Sequence, residues 1–153
     1  MAMSPYVAQL RLAMGSAVLH LPAATVLPVD GSGRLLLVRH RGHGSAWGTV
    51  GGAIEIGESP REAASRETQE EIGTTAFNLS LLDVLGGPDL EVTYPNGDRV
   101  AYVTSVFQAD LGSQEPHPDG DEIDEVRWIS RDELARVSID RFTRRVLECV
   151  VLR

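Results

Sequence analysis

The sequence predicts a mixed fold of the α+β or α/β class, and three observations carry that prediction. Short apolar runs of strand length are separated by compact turn signals, Asp30-Gly-Ser-Gly33 and Pro95-Asn-Gly-Asp98. A strongly capped helix lies in the middle of the chain, opening at Ser59 and Pro60. A second helical pattern closes it, with Phe142, Val146, Cys149 and Val150 at helical spacing.

Taken in order, Pro5 to about Met14 is expected to form a short helix with Tyr6, Leu10 and Leu12 facing inward, ended by Gly15. Ala23–Val29 reads as a strand and Arg34–Arg39 as its antiparallel partner across the Asp30–Gly33 turn. His40–Ala46 is a polar loop, and Val50–Ile56 a short strand entering the central helix. That helix is expected over Pro60–Ile72. Ser59 and Glu62 form a capping box around Pro60, and Gly73 ends the helix in the left-handed conformation. Phe77–Leu85 reads as a strand stopped by Gly86-Gly87-Pro88, and Leu90–Tyr94 and Arg99–Ala109 flank the second hairpin turn. A polar loop spans 112–125, Val126–Ile129 is the last strand, and Ser130 caps a helix over 131–136 with Glu133 as its capping partner. A C-terminal amphipathic helix covers about 140–152.

The chain of 153 residues is one domain by its length, with a short N-terminal segment over 1–20, and is long enough for a real core. Hydrophobic residues make up 42% and charged residues 24%, ordinary values for a globular protein. The net charge of −8 argues against long DNA or RNA as a partner but not against a small nucleotide whose charge a metal offsets. Cys149 sits late in an apolar helical stretch and reads as a small core residue, and a chain with one cysteine forms no internal disulfide. The start lacks the basic and apolar regions of a signal peptide. The longest apolar run, Ala17–Val29, is broken by His20, Pro22 and Pro28, so no membrane span is expected. A cytoplasmic location follows as the expectation.

The chemistry concentrates between Gly52 and Thr74. Gly52-Ala-Ile-Glu-Ile-Gly-Glu58 is followed, after seven residues, by Arg66-Glu-Thr-Gln-Glu-Glu-Ile-Gly73. At about 100° per residue, Glu67, Glu70 and Glu71 fall within one arc of the helix. Three carboxylates that close repel one another unless a cation or an arginine offsets them. Such a cluster suits Mg²⁺ or Mn²⁺, which prefer oxygen ligands; the alternative is a solvated acidic face. No Gly-x-Ser-x-Gly elbow, P-loop or Cys-x-x-Cys pair offers a rival chemistry.

The stretch resembles the Nudix box of the Nudix hydrolase family over its 23 residues, Gly52 to Thr74, and more loosely from about Ala23 to Leu134. Trp47-Gly-Thr-Val50-Gly-Gly52 looks like the family's lead-in, with Val50 where proline is usual. Thr68 and Thr74 stand where aliphatic residues are usual, and neither removes a charge. The resemblance implies an α/β/α sandwich around a mixed sheet. It implies Glu67, Glu70 and Glu71 as metal ligands, with Glu70 also in a catalytic role. Arg66 and Glu58 would pair to orient the loop, Gly51 and Gly52 would let the backbone approach the metal, and Gly73 would close the helix. An acidic residue from a later loop serves the family as base or extra ligand. The candidates are Asp119, Asp121, Glu122, Asp124 and Glu125, with Glu122 favoured because it stands six residues before Trp128.

The reaction so implied is hydrolysis of a nucleoside diphosphate linked to another group, with Mg²⁺ or Mn²⁺ as cofactor. An ADP-ribose or nucleotide-sugar pyrophosphatase is the leading expectation. A nucleoside triphosphate pyrophosphohydrolase of the housecleaning type is the second. A non-catalytic nucleotide-binding regulator, of a kind that usually lacks a box carboxylate, is the third. Family analogy allows a homodimer through the N-terminal segment. Arg39, His40, Arg41 and His43 form a basic knot against the global charge. It is either an exposed loop or the place where Arg39 or Arg41 meets substrate phosphates. Trp47 either stacks on a base or, as favoured here, packs beneath the glycine loop.

Overall fold

The computed structural model describes residues 3–152, so Met1 and Ala2 of the N-terminal segment and Arg153 lie outside it. The elements run α1 (Pro5–Met14), β1 (Leu19–Pro28), β2 (Leu35–His40), β3 (Val50–Ala53), α2 (Pro60–Ile72), β4 (Phe77–Leu85), β5 (Glu91–Thr93), β6 (Arg99–Asp110), β7 (Ile123–Ile129), α3 (Arg131–Leu134) and α4 (Arg141–Val150), with a 3-10 turn at Pro88–Leu90. A mixed five-stranded sheet has the order β3-β1-β6-β4, with β5 also on β6, and β2 and β7 form a second sheet of two strands. The fold is a mixed α/β one.

The spine of the molecule is the parallel pair β1 and β6, in register from Leu19↔Val100 to Pro28↔Ala109. β3 runs antiparallel on the other edge of β1, from Ala23↔Ala53 to Val26↔Val50. Both edges of β1 are therefore filled. This corrects the expected β1–β2 hairpin. Only a single bridge, Val29↔Leu35, closes the Asp30 turn, and β2 goes on to pair antiparallel with β7. β2 is buried on both faces, which explains its unbroken apolar run: Leu36 and Val38 pack towards α2, Leu35 and Leu37 towards α4.

The first core cluster joins Ala63, Ala64 and Ile72 of α2 to Ala24, Val26, Phe107 and Ala109 of the sheet. The second joins Val146 and Leu147 of α4 to Leu27, Val106 and Trp47. Helices thus cover both faces, giving an α/β/α arrangement. Each fully buried aliphatic side chain in these layers contributes about 1.5–3 kcal/mol.

Helix α1 covers the end of β1. Its inward residues are Val7 and Leu10. Tyr6 and Leu12, expected to face inward, are 41% and 87% exposed, because the Val7–Leu10 spacing turns the other face to the sheet. Among the described residues no helix is long and apolar enough to cross a membrane.

Candidate active site

Helix α2 begins as its sequence dictates. The Ser59 side chain accepts from the Glu62 amide, the Glu62 side chain accepts from the Ser59 amide, and Pro60 stands in the first turn. It ends at Gly73, with φ +68° and its amide on the Gln69 carbonyl. Thr68, an unusual residue for its place, is fully buried and satisfies its hydroxyl on the Ala64 carbonyl at 2.7 Å. The helix so fixed presents Glu67 and Glu71 to the interior, 5% and 1% exposed, while Glu70 lies on the open side.

Arg66 gathers this cluster. Its Nε and Nη2 donate to both oxygens of Glu58, at 2.8 and 2.9 Å, and Nη2 also reaches the Ala53 carbonyl. Its Nη1 donates to Glu67 at 2.7 Å and Glu70 at 3.1 Å. Glu58 in turn accepts from the Glu55 amide, so the expected Arg66–Glu58 pair does tie loop to helix. The guanidinium beside Glu58 holds that carboxyl below its usual range, and the same contact pushes the Arg66 guanidinium further up. Glu67 goes the other way despite Arg66, because burial raises it more than the arginine lowers it.

Glu71 is the most constrained of the three. One oxygen accepts from the Gly51 amide at 3.0 Å, and the other, Oε1, is buried with no hydrogen-bond partner. Burial pushes its pKa well up, with Glu67, Glu122 and Asp119 adding repulsion. An unpaired buried carboxylate oxygen is costly, and it is a donor that could ligate a cation. The glycines make room for the cluster. A Cβ on Gly52 would stand 2.4 Å from the Glu67 carboxylate oxygen. Among the described residues no three such groups converge tightly enough to hold one ion as they stand, since Arg66 draws on both Glu67 and Glu70.

A cavity of about 690 Å³ opens beside the cluster, with Gly51, Gly52, Arg66, Glu67, Glu70 and Glu122 in its wall. Of the five late-loop acids only Glu122 reaches it. Asp119 accepts three backbone amides, those of Asp121, Glu122 and Ile123, and so shapes the loop. Asp124 is taken by Arg41 at 2.7 Å and Glu125 by Arg39 at 2.6 Å. Burial and the neighbouring acids raise the Glu122 pKa. Arg41 also lines the cavity, whereas Arg39, aimed at Glu125 and lying over Trp47, does not. Trp47 is buried in the second core cluster, with Leu27 and Leu35. The cavity's other end includes residues for which the sequence carried little signal: Tyr102, one alternate inward position on a strand, and Val7 and Arg11 of α1.

A family model described as NUDIX domain matches residues 19–148. The chain belongs to the NUDIX family. The match leaves α1 outside and takes in the box helix, the glycine loop and the Glu122 loop. An RNA pyrophosphohydrolase from Teredinibacter turnerae is 39% identical over 66 residues, covering 43% of this chain and 39% of that protein. A NAD-capped RNA hydrolase, NudC, from Pseudomonas aeruginosa is 29% identical over 120 residues, covering 78% of this chain and 40% of that protein. The chain thus spans about two fifths of the length of these curated NUDIX relatives. A MutT NUDIX hydrolase from Burkholderia pseudomallei has a similar structure, with a TM-score of 0.71 and 27% identity, covering 86% of this chain and 98% of that one.

Proposed function

We propose that this chain hydrolyses the pyrophosphate linkage of a nucleoside diphosphate joined to a second group, of the ADP-ribose or nucleotide-sugar type. In this reading residues 1–153 form a single NUDIX hydrolase domain, whose family match over 19–148 leaves α1 in its N-terminal segment. The observation that carries it is the buried, unpaired Oε1 of Glu71, close to Glu67, which itself lines a cavity large enough for a nucleotide.

Glu67, Glu70 and Glu71 would hold Mg²⁺ or Mn²⁺, an all-carboxylate set suited to hard cations. When bound, the ion supplies electrostatic stabilisation of the charge that develops on the phosphate oxygens. The chain's own residues do the rest. Arg66 releases Glu67 and Glu70 while keeping Glu58, so the loop stays docked. The Gly51 amide fixes the orientation of Glu71. Glu122, raised by burial and its acidic neighbours, takes the proton of the attacking water as the new P–O bond forms and the bridging P–O bond breaks. The full complement of box carboxylates favours turnover over a purely regulatory role.

Phosphate release from a panel of nucleoside diphosphate and triphosphate derivatives, after coupled phosphatase where needed, tests this reading. Turnover that requires Mg²⁺ or Mn²⁺ and stops with EDTA is the expected result; metal-independent turnover or none defeats it. Arg41 is exposed and its pair with Asp124 is weak, so it can turn to the pyrophosphate. Arg41→Ala should raise KM by about three- to tenfold with kcat little changed, the pattern of lost uniform binding. Unchanged steady-state constants would remove Arg41 from the site.

Stability should report the same ion. Glu67 and Glu71 are raised in the fold, chiefly by burial, so the folded chain binds more protons than the unfolded one above about pH 4.5. Their contribution is present below that value and is lost as pH rises through their folded pKa values. Glu58, lowered by Arg66, is lost only further down, below this window. His43, lowered by burial, opposes the trend near pH 6.5 but sits in an exposed loop. With EDTA, Tm should therefore rise as pH falls from 8 towards 5. Saturating Mg²⁺ should flatten or reverse that slope, because protons then compete with the ion. Parallel slopes with and without Mg²⁺ would contradict the assignment.

A further inference from the structure

The cavity continues well past the carboxylates. Ala24 of β1 pairs with Gly52 beneath Glu67, and Leu21 lies three residues further back along the same strand, about 10 Å away. There the floor is Leu21, Val100 and Tyr102, and the wall is Val7 and Arg11 of α1, a helix that precedes the residues matching the NUDIX family. Tyr94, from the β5–β6 turn, sets its hydroxyl 2.5 Å from that of Tyr102. Two phenols carry two hydrogens, and their mutual bond consumes one. The pair therefore offers one further O–H and free lone pairs to a ligand. Burial pushes both phenols up, so they act as neutral donors and acceptors.

Among the described residues this end of the cavity has no spare arginine. Arg11 faces Asp98 at 3.4 Å and donates to the carbonyls of Gly15, Ala17 and Arg99. Around the whole cavity the described wall carries seven carboxylates against four arginines, Arg11, Arg41, Arg66 and Arg141. Each of the four is held by an acid: Asp98, Asp124, Glu58 and Asp89. A diphosphate can be met by a metal ion and Arg41. A third or fourth phosphate would face Glu55, Glu122 and Asp140, the wall carboxylates that make no ion pair among the described residues.

We propose that α1 and the Tyr94–Tyr102 hydroxyl pair form the specificity wall of this site, accepting an uncharged, hydroxyl-bearing group attached to the diphosphate and discriminating against additional phosphates. This inference rests on the hydrolase reading given above and assigns to particular residues its preference for a nucleoside diphosphate bonded to a sugar over a nucleoside triphosphate or dinucleoside polyphosphate. Val7 and the tyrosines contact the neutral group, and selection against polyphosphates comes from the acidic wall. The helix thereby gives this chain a recognition surface that its family-matched residues do not supply.

The test is steady-state kinetics of the whole chain with Mg²⁺ on ADP-ribose, ADP-glucose, UDP-glucose, ATP and diadenosine tetraphosphate, for the wild type, Tyr94→Phe and Val7→Trp. The three sugar compounds separate a pentose from a hexose and one base from another. At least one of them should exceed both polyphosphates in kcat/KM by about tenfold or more, the equivalent of one unmet interaction of about 1.4 kcal/mol. On that substrate Tyr94→Phe should raise KM about three- to tenfold, as for loss of one hydrogen bond, with kcat within about twofold. Val7→Trp should raise KM by narrowing the far end. Thermal unfolding of both variants should match the wild type within a few degrees, which separates recognition from folding. Variants that leave KM unmoved would overturn this inference alone; metal-dependent turnover that favours a polyphosphate would overturn it together with the nucleotide-sugar preference, and leave only metal-dependent hydrolysis standing. No metal-dependent turnover of any compound would overturn both.

Discussion

Glu70→Gln should abolish turnover while leaving the fold intact. The carboxylate is on the open side of α2, its side chain 60% exposed, and among the described residues its ion pair is the 3.1 Å contact with Arg66. Exposed pairs of this kind are worth about 0–1 kcal/mol, so Tm should move by no more than a few degrees. The amide keeps the shape and removes the charge. If Glu70 helps to hold the cation, the several kcal/mol of transition-state stabilisation that a metal provides is largely lost. A drop of about a thousandfold in kcat, or roughly 4 kcal/mol in the barrier, is expected. Stopped assays with the best substrate of the panel would measure it. A variant of near-normal rate would mean that Arg66 engages Glu70 for structure alone.

Gly51→Ala should act on the fold itself. Gly51 has φ +141°, a region that residues with a side chain rarely adopt. A Cβ placed there would stand 2.1 Å from the Ala24 carbonyl oxygen and 3.0 Å from Thr25 Cα, both backbone atoms of the neighbouring strand. No rotamer relieves such a clash; β3 must move off β1, and the Gly51 amide leaves Glu71. Overpacking and backbone strain together cost about 3–5 kcal/mol. For a chain of this size that lowers Tm on the order of 10 °C. Gly97→Ala is the control. Gly97 also has positive φ, but its Cβ would meet open space, so only the conformational strain of about 1–2 kcal/mol applies. Equal losses in the two variants would show that close approach at Gly51 contributes nothing.

What the sequence made legible was local. Ser59, Pro60, Glu62 and Gly73 specify both ends of α2 by capping chemistry within a few residues, and the α2 bounds follow from them. The phase of Glu67, Glu70 and Glu71 on that helix follows from spacing along the same short stretch, whereas the Arg66–Glu58 pair was legible only through the resemblance to the Nudix box. Strand pairing was less legible because it is settled by competition among distant segments. The Asp30–Gly33 turn looks like a hairpin, yet β3 and β6 fill both edges of β1 and send β2 to β7. The same limit governs the late-loop acids. Five carboxylates within seven residues are equivalent as text. Asp119 differs because three amides converge on it, Asp124 and Glu125 because arginines from β2 and its following loop face them, and Glu122 because it is left for the cavity. A register shift between Arg39 and His40 helps to part Arg39 from Arg41, and no residue type announces such a shift. Tyr102 and Val7 gain meaning only when β6 and α1 meet over β1.

The central claim is that the α2 carboxylates hold a divalent cation. Binding of Mn²⁺ followed by electron paramagnetic resonance, in the wild type and in Glu67→Gln, tests it most directly and needs no substrate. Saturable Mn²⁺ binding that Mg²⁺ displaces, weakened by about tenfold or more in a Glu67→Gln protein that still unfolds cooperatively, is the predicted result. Binding of equal strength in both proteins would place the ion elsewhere and contradict the account.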